Sequence, residues 1–444
     1  MTGHVLNVDD TKYDELIEYI KASYAASDVP VGYVVNNVST SPLVSRIDKN
    51  EEVINPGSEF FHNHQLWKFP LCTLTPAGVP TFAEKPNGYN FDGTHLDFSG
   101  ASGDLMVRVQ NPQMRCRYEA ENDTQIVQFA PFDSGHTYFD YHPHAYAGGG
   151  KLNKYFYWAA KEAYGYLDPS DSKYKLGSAS GKQPITGEVS YPNCPNSGRF
   201  TIDDALLFAA NKGAGWTITD AYCLPLIQSL FYTWAGTRDA QTKLGLGIVN
   251  LESGTGFAGR LTGADNVDSL DRVDYWGTGA GDGTNGQTPV KIWNFENLYG
   301  NCMEWVAGIN IFASNGTDGE GHTYNAGDAR ITKRNGTGII AGTLPYGSYE
   351  TVTGVSMADG YISSILTDPL WACTMLPKLT GDANSGSSNR YCDGNWYARG
   401  NPSIVLSGGY WSSGLGAGIG CRYAAFTPSD SYKGLTARLQ FIPK

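Results

Sequence analysis

The chain carries the stretch Trp293-Asn294-Phe295-Glu296-Asn297-Leu298-Tyr299-Gly300-Asn301-Cys302-Met303-Glu304-Trp305-Val306. Downstream follow Leu406-Ser407-Gly408-Gly409-Tyr410-Trp411-Ser412-Ser413, then Gly420-Cys421-Arg422-Tyr423-Ala424-Ala425, then Gly434-Leu435-Thr436-Ala437-Arg438-Leu439. In the first stretch Glu296, Asn297, Asn301, Glu304 and Trp305 read as a structural hydrogen-bonded girdle rather than as catalytic groups. The region after it is unusual in composition. Between residues 400 and 421 no residue is charged, and seven glycines fall in those 22 positions. Tyr and Trp offer large, rigid contact area at low entropic cost, and Ser, Gly and Asn add adaptable polar contacts, which is the make-up of a recognition surface. The candidate ligand-binding residues are therefore Tyr391, Asp393, Asn395, Trp396, Tyr397, Tyr410, Trp411, Ser412, Ser413, Leu415, Tyr423 and Phe426. Gly-Gly-x-Trp is also a folding signature, so Trp411 and Tyr423 fit a core role equally well.

The whole chain shares this bias. Only 17% of its 444 residues are charged and 54 are glycine, against norms of roughly 25% charged and roughly 7% glycine. Disorder is excluded by the 41% hydrophobic and 13% aromatic content. The glycines follow no triplet period, which excludes collagen, and no run of apolar residues is long enough to span a bilayer. The formal net charge of −12, with the basic residues scattered, leaves no cationic footprint for nucleic acid. Eight cysteines lie apart, with no CxxC and no zinc spacing, and read as free thiols. Met1-Thr2-Gly3-His4 begins neither basic nor apolar, so a secretory signal is not expected and synthesis in a bacterial cytoplasm is.

Along the chain, Tyr13, Leu16, Ile17, Ile20 and Tyr24 predict an amphipathic helix over 11–25 with Thr11 as its cap. Its stripe must pack on the body or on sister chains. Prolines 30, 42 and 56 suggest an extended connector over 28–58. Residues 59–180 are rich in strand segments such as 105–109 and 124–129. Two helices follow. One opens at Thr201 with Asp203 and Asp204 in its first turn and ends near Gly213. The other runs from Thr219 to Gly236, with Pro225 shifting its start or kinking it. The expected division is 1–58 for attachment or oligomerisation, 59–180 β-rich, and 181–444 carrying the C-terminal binding segment.

The motif order resembles the C-type-lectin-like fold in its formylglycine-generating-enzyme-like, or sulfatase-modifying-factor, form. That pattern runs roughly E-N-x-W-G-N-x-x-E-W-V, G-G-S-W and a terminal G-x-R. The resemblance implies an α+β fold of short strands and extensive loops, with two helices near 201–236 and a small N-terminal helical extension. It narrows upstream. Gly103-Asp104-Leu105-Met106-Val107-Arg108-Val109, Tyr141-His142-Pro143-His144-Ala145-Tyr146, Gly213-Ala214-Gly215-Trp216-Thr217 and Gly236-Thr237-Arg238-Asp239-Ala240-Gln241 look like a tail-associated family of bacteriophages and prophages. Many of its members are variable proteins of diversity-generating retroelements. Such a resemblance implies a virion-borne, non-enzymatic adhesin that recognises a bacterial surface protein or glycan, joins other phage tail proteins and forms a homotrimer. Enzymes of the parent fold hold copper on cysteines, whereas Ser413 and Gly418 stand at those places; a thiolate site cannot be built from them. The competing readings are a divergent enzyme of that fold, a surface-polysaccharide depolymerase, and a purely structural virion protein.

Other chemistry is thinner. His142 and His144, like His62 and His64, could share one face of a strand as metal ligands, but no third ligand has a matching spacing. Asp265, Asp268, Asp271 and Asp274 lack EF-hand spacing and read as a solvated loop. The glycine run 277–286 has neither the following Lys-Ser/Thr nor the helix of a phosphate loop. There is no G-x-S-x-G elbow. No cofactor, metal or membrane insertion is expected.

Overall fold

The asparagines of the 293–306 stretch sit where the backbone turns left-handed. Asn294, Asn297 and Asn301 have φ of 71°, 51° and 59°, and Gly300 has 76°. Asparagine tolerates this conformation better than most residues, and glycine adopts it without a Cβ penalty. A Cβ on Gly300 would lie 2.7 Å from the Ile248 carbonyl oxygen, so close approach requires glycine there as well. The turns feed strand Met303–Ile311, which is buried along its whole length.

The computed structural model describes residues 30–37, 39–54, 64–147, 151–187, 199–251, 286–333, 349–366, 374–381 and 391–444. The helix expected over 11–25, the aspartates at 265–274, His62, most of the glycine run 277–286, Cys194 and Cys373 lie outside them. Strand Met303–Ile311 is the spine of the largest sheet. It pairs antiparallel with Ala329–Thr332 and Ser403–Gly408, and parallel with Leu435–Thr436. Beyond Ser403–Gly408 come Gly418–Phe426, Gly394–Trp396, Gly360–Ile365 and Pro377–Thr380. A six-stranded sheet runs in the order Trp216–Ile218, Leu439–Phe441, Tyr155–Ala159, Asp104–Gln110, Leu71–Leu74, Pro80–Phe82. A five-stranded sheet is ordered Ser45–Ile47, Val31–Asn36, Thr124–Ala130, Gln113–Glu119, Asp140–Tyr141. Short strands, few helices and an open, curled sheet make this an α+β architecture of lectin-like description. No described helix is long and apolar enough to cross a membrane.

Three α-helices are present among the described residues. Helix α1 (Ile202–Ala210) opens with a capping box: Thr201 Oγ1 accepts from the Asp204 N–H, and Asp204 accepts from the Thr201 N–H. Helix α2 (Cys223–Ala235) starts later than Thr219, because Pro225 falls in its first turn, where its missing N–H costs nothing. Asp220 Oδ1 accepts from the N–H groups of Tyr222 and Cys223, at 3.0 and 2.8 Å, and ties down that end. Helix α3 (Ala240–Leu244), not expected from sequence, is capped by Asp239.

Two placements differ from the expected division. Val31, Tyr33 and Val35, within the segment read as a connector, are buried in the largest core cluster, and their strand pairs residue by residue with Thr124–Ala130. A connector composition misleads here because β-branched residues between prolines are also what a short strand needs. The C-terminal strand Leu439–Phe441 completes the sheet built from 71–159, so that sheet crosses the boundary expected at residue 180.

Candidate functional site

The motif residues of the first stretch assemble around Arg438. This guanidinium is fully buried, donates to Glu304 at 2.6 and 2.8 Å, and donates to the backbone carbonyls of Ala159, Glu296 and Asn297. Lys161 Nζ donates to Glu296 at 2.5 Å, both side chains being buried. Glu162 accepts from Asn301 Nδ2, Asn297 Nδ2 and the Cys302 N–H, at 2.5, 3.3 and 3.1 Å. Burial first, and then the charge of Glu304, push the Glu162 carboxyl up to about 8. Lys161, Glu162, Glu296, Glu304 and Arg438 are all buried, and these hydrogen bonds go to neighbouring parts of the chain. Together they are a girdle joining residues 159–162, 296–304 and 438. Sequence reading did not single out Lys161 and Glu162. Their signal was two adjacent charges inside the apolar run Trp158-Ala159-Ala160-Lys161-Glu162-Ala163, because charges are seldom fully buried unless paired.

The candidate recognition residues divide in two. Tyr391, Asp393, Asn395 and Trp411 are buried, at 1, 1, 5 and 3% exposure, which removes them from any surface. Tyr391 lies under the Arg238 guanidinium, 4.3 Å from ring centroid to carbon, and beside Tyr232. Asp393 points at strand Gly418–Phe426, where its Oδ2 accepts from the Gly420 N–H at 2.7 Å. Burial raises its carboxyl well above the ordinary range. A Cβ on Gly418 would fall 1.6 Å from Asp393 Oδ1, and one on Gly420 2.5 Å from Oδ2. Part of the glycine richness at 400–421 therefore makes room for a buried carboxyl. Asn395 Nδ2 donates to the Ala358 carbonyl at 3.2 Å. Trp411 packs with Ile248 and Leu251, and its backbone carbonyl accepts from the Leu251 N–H at 2.8 Å.

The rest come together at the surface. Trp396, Tyr397, Tyr410, Ser413, Tyr423 and Phe426 are half-buried, whereas Ser412 and Leu415 are exposed. The rings of Trp396, Tyr410, Tyr423 and Phe426, with Tyr432, form a continuous strip. Trp396 lies 5.3 Å from Tyr423, Tyr423 lies 5.3 Å from Phe426, and Phe426 stacks at 6.4 Å on Tyr432, which reaches Tyr410 at 6.3 Å. Two elements hold it. Strand Gly394–Trp396 runs parallel to Gly418–Phe426 with Trp396 opposite Tyr423, and Ser413 Oγ accepts from the Tyr410 N–H at 2.9 Å to close the 410–413 turn. Tyr432 and a rim of charge were missed by sequence reading. Arg399 pairs with Asp359 at 2.9 Å and lies 5.2 Å from the Tyr397 ring, while Asp359 Oδ1 accepts from the Tyr397 N–H at 3.0 Å. Asp359 is 38 residues from Tyr397, so no local pattern could have linked them.

His64, His142 and His144 make structural contacts. His142 and His144 flank the start of a 3-10 turn, not alternate positions of a strand. His144 Nε2 is paired with Asp220 at 2.7 Å, and Asp220 also accepts from Gln440 at 2.9 Å. His142 lies between Asn111 Oδ1 and the Tyr222 carbonyl, and burial, with His144 alongside, depresses it to about 3. His64 caps a short turn through the Leu66 N–H. Among the described residues no group of three His, Cys, Asp or Glu side chains is placed to hold a metal ion. No disulfide joins any two of the six described cysteines, and burial pushes the thiols of Cys223, Cys302 and Cys421 upward, away from the reactive thiolate.

No protein-family profile matches the chain, and no curated protein does. A solved structure described as "Major Tropism Determinant P3c Variant" aligns over 80% of this chain and 77% of its own, at 12% identity and a TM-score of 0.27, a likeness too distant to carry an argument.

Proposed function

We propose that this protein is a non-enzymatic adhesin of a phage tail that recognises a bacterial surface protein or glycan through the C-terminal aromatic strip. The motif order supports the class. One observation carries the reading: a contiguous, half-exposed strip of Trp396, Tyr423, Phe426, Tyr432 and Tyr410, held by sheet pairing and rimmed by Arg399 and Asp359. Aromatic rings kept half in water leave apolar area that a partner can cover, and rigid scaffolding limits the entropy lost on binding. Variation that leaves the buried Asp393 and Trp411 alone and changes Tyr397, Tyr410, Ser412, Leu415 and Tyr432 would alter specificity without altering the fold. In a homotrimer, three such faces would convert weak contacts into avid attachment.

The test replaces Trp396, Tyr397, Tyr410 and Tyr432 with alanine and measures attachment of purified protein to host cells. Attachment should fall by roughly a hundredfold or more, since two aromatic hot spots at about 2 kcal/mol each suffice for that. Circular dichroism should stay unchanged. Attachment that survives the fourfold change excludes this face. Turnover of purified surface polysaccharide would assign a depolymerase, and wild-type protein that ignores every host cell would assign a structural virion component.

A further inference from the structure

A second aromatic surface lies at one end of the five-stranded sheet. There Val31 faces Phe129, Phe129 faces Met114, and Met114 faces Asp140. Three steps of about 4.8 Å separate Val31 from Asp140, roughly 14 Å in all. Past this end, Phe132 packs 4.9 Å from Tyr141, and Tyr141 lies 6.3 Å from Tyr146. Nearby, Tyr138 is 86% exposed, and Tyr146 and Leu152 are 42 and 43% exposed. Asp140–Tyr141 is also the last strand of the sheet, so its outer edge is unpaired among the described strands. Bare tyrosines beside an open edge are a surface that calls for a cover.

The chain itself supplies one. It enters the sheet at Val31, in the same row as the patch, and the residues before it carry the stripe Tyr13, Leu16, Ile17, Ile20 and Tyr24. A fifteen-residue helix is roughly 22 Å long, enough to lie across the ends of four strands. From Tyr24 to Val31 the backbone can reach roughly 23 Å, which exceeds the 14 Å across the row. A tether that short sets an effective concentration of the order of millimolar, so modest apolar burial suffices for docking. We propose that residues 11–25 dock as an amphipathic helix on the patch of Phe132, Tyr138, Tyr141 and Tyr146 of the same chain. This anchors the N-terminal segment at the sheet end.

Hydrogen exchange on the full-length protein tests the docking. Amides within 11–25 should exchange roughly tenfold or more slowly than those of an unstructured chain, because a docked helix exchanges only through local opening. Ile17→Glu with Ile20→Glu should abolish that protection, and so should Tyr138→Glu with Tyr146→Glu, which leaves the segment itself unaltered. Absence of protection in the wild type, or protection that persists in the tyrosine variant, overturns the proposal. Leu16→Cys with Tyr138→Cys should form a disulfide within one chain. Cross-linking only between copies would assign the patch to a second copy and overturn docking within the chain.

Discussion

Arg438 shows how one residue organises distant segments. Its guanidinium answers three backbone carbonyls and the Glu304 carboxylate, from segments more than a hundred residues upstream. Arg438→Met should therefore destabilise the protein by about 3–5 kcal/mol, since it strands a buried carboxylate; urea denaturation measures this. Glu162 bears on pH. Its carboxyl is raised from 4.5 to about 8 in the folded state, so the folded protein holds a proton that the unfolded chain releases. Its contribution to stability is full below the unfolded value and is lost as pH rises from about 4.5 to about 8. Glu162→Gln should flatten that slope in urea midpoints taken across the same window. Trp411 separates packing from recognition. Trp411→Ala should cost about 3–5 kcal/mol, as for a core tryptophan, whereas Tyr397→Ala should leave the urea midpoint nearly unchanged.

Elements differ in how locally they are specified. Helix α1 carries its own start signal in Thr201 and Asp204, and Thr201→Ala should cost about 1 kcal/mol, the usual worth of a cap. Helix α2 depends on Asp220, which also receives His144 and Gln440 from other parts of the chain. Asp220→Ala should cost at least twice as much as Thr201→Ala in the same urea assay, because it leaves buried donors without acceptors. Strand Gly418–Phe426 behaves like α2: its glycines are set by Asp393 on another strand. Strand Val31–Asn36 was hidden in a proline-flanked run, and only its pairing with Thr124–Ala130 identifies it.

For the molecule as a whole, the chain's shortage of charge has two destinations. Some of it reflects a core that extends through the 391–444 region, where Asp393 and Arg422 are themselves buried. The remainder leaves an aromatic strip at the surface with one ion pair on its rim. The sequence by itself determined the α+β class, the two main helices and the strands near 105–109 and 124–129. The helices and strands rest on short-range physics, caps and periodicity, and the class on the order of the motifs along the chain. Only the tertiary structure decided which aromatic residues meet solvent. Tyr391, Tyr397, Tyr410 and Trp411 look alike in a glycine-rich context, yet Arg238 covers one and Ile248 with Leu251 cover another. Those covering residues lie more than 150 positions away, and burial depends on whatever arrives from a distance, which no local pattern encodes.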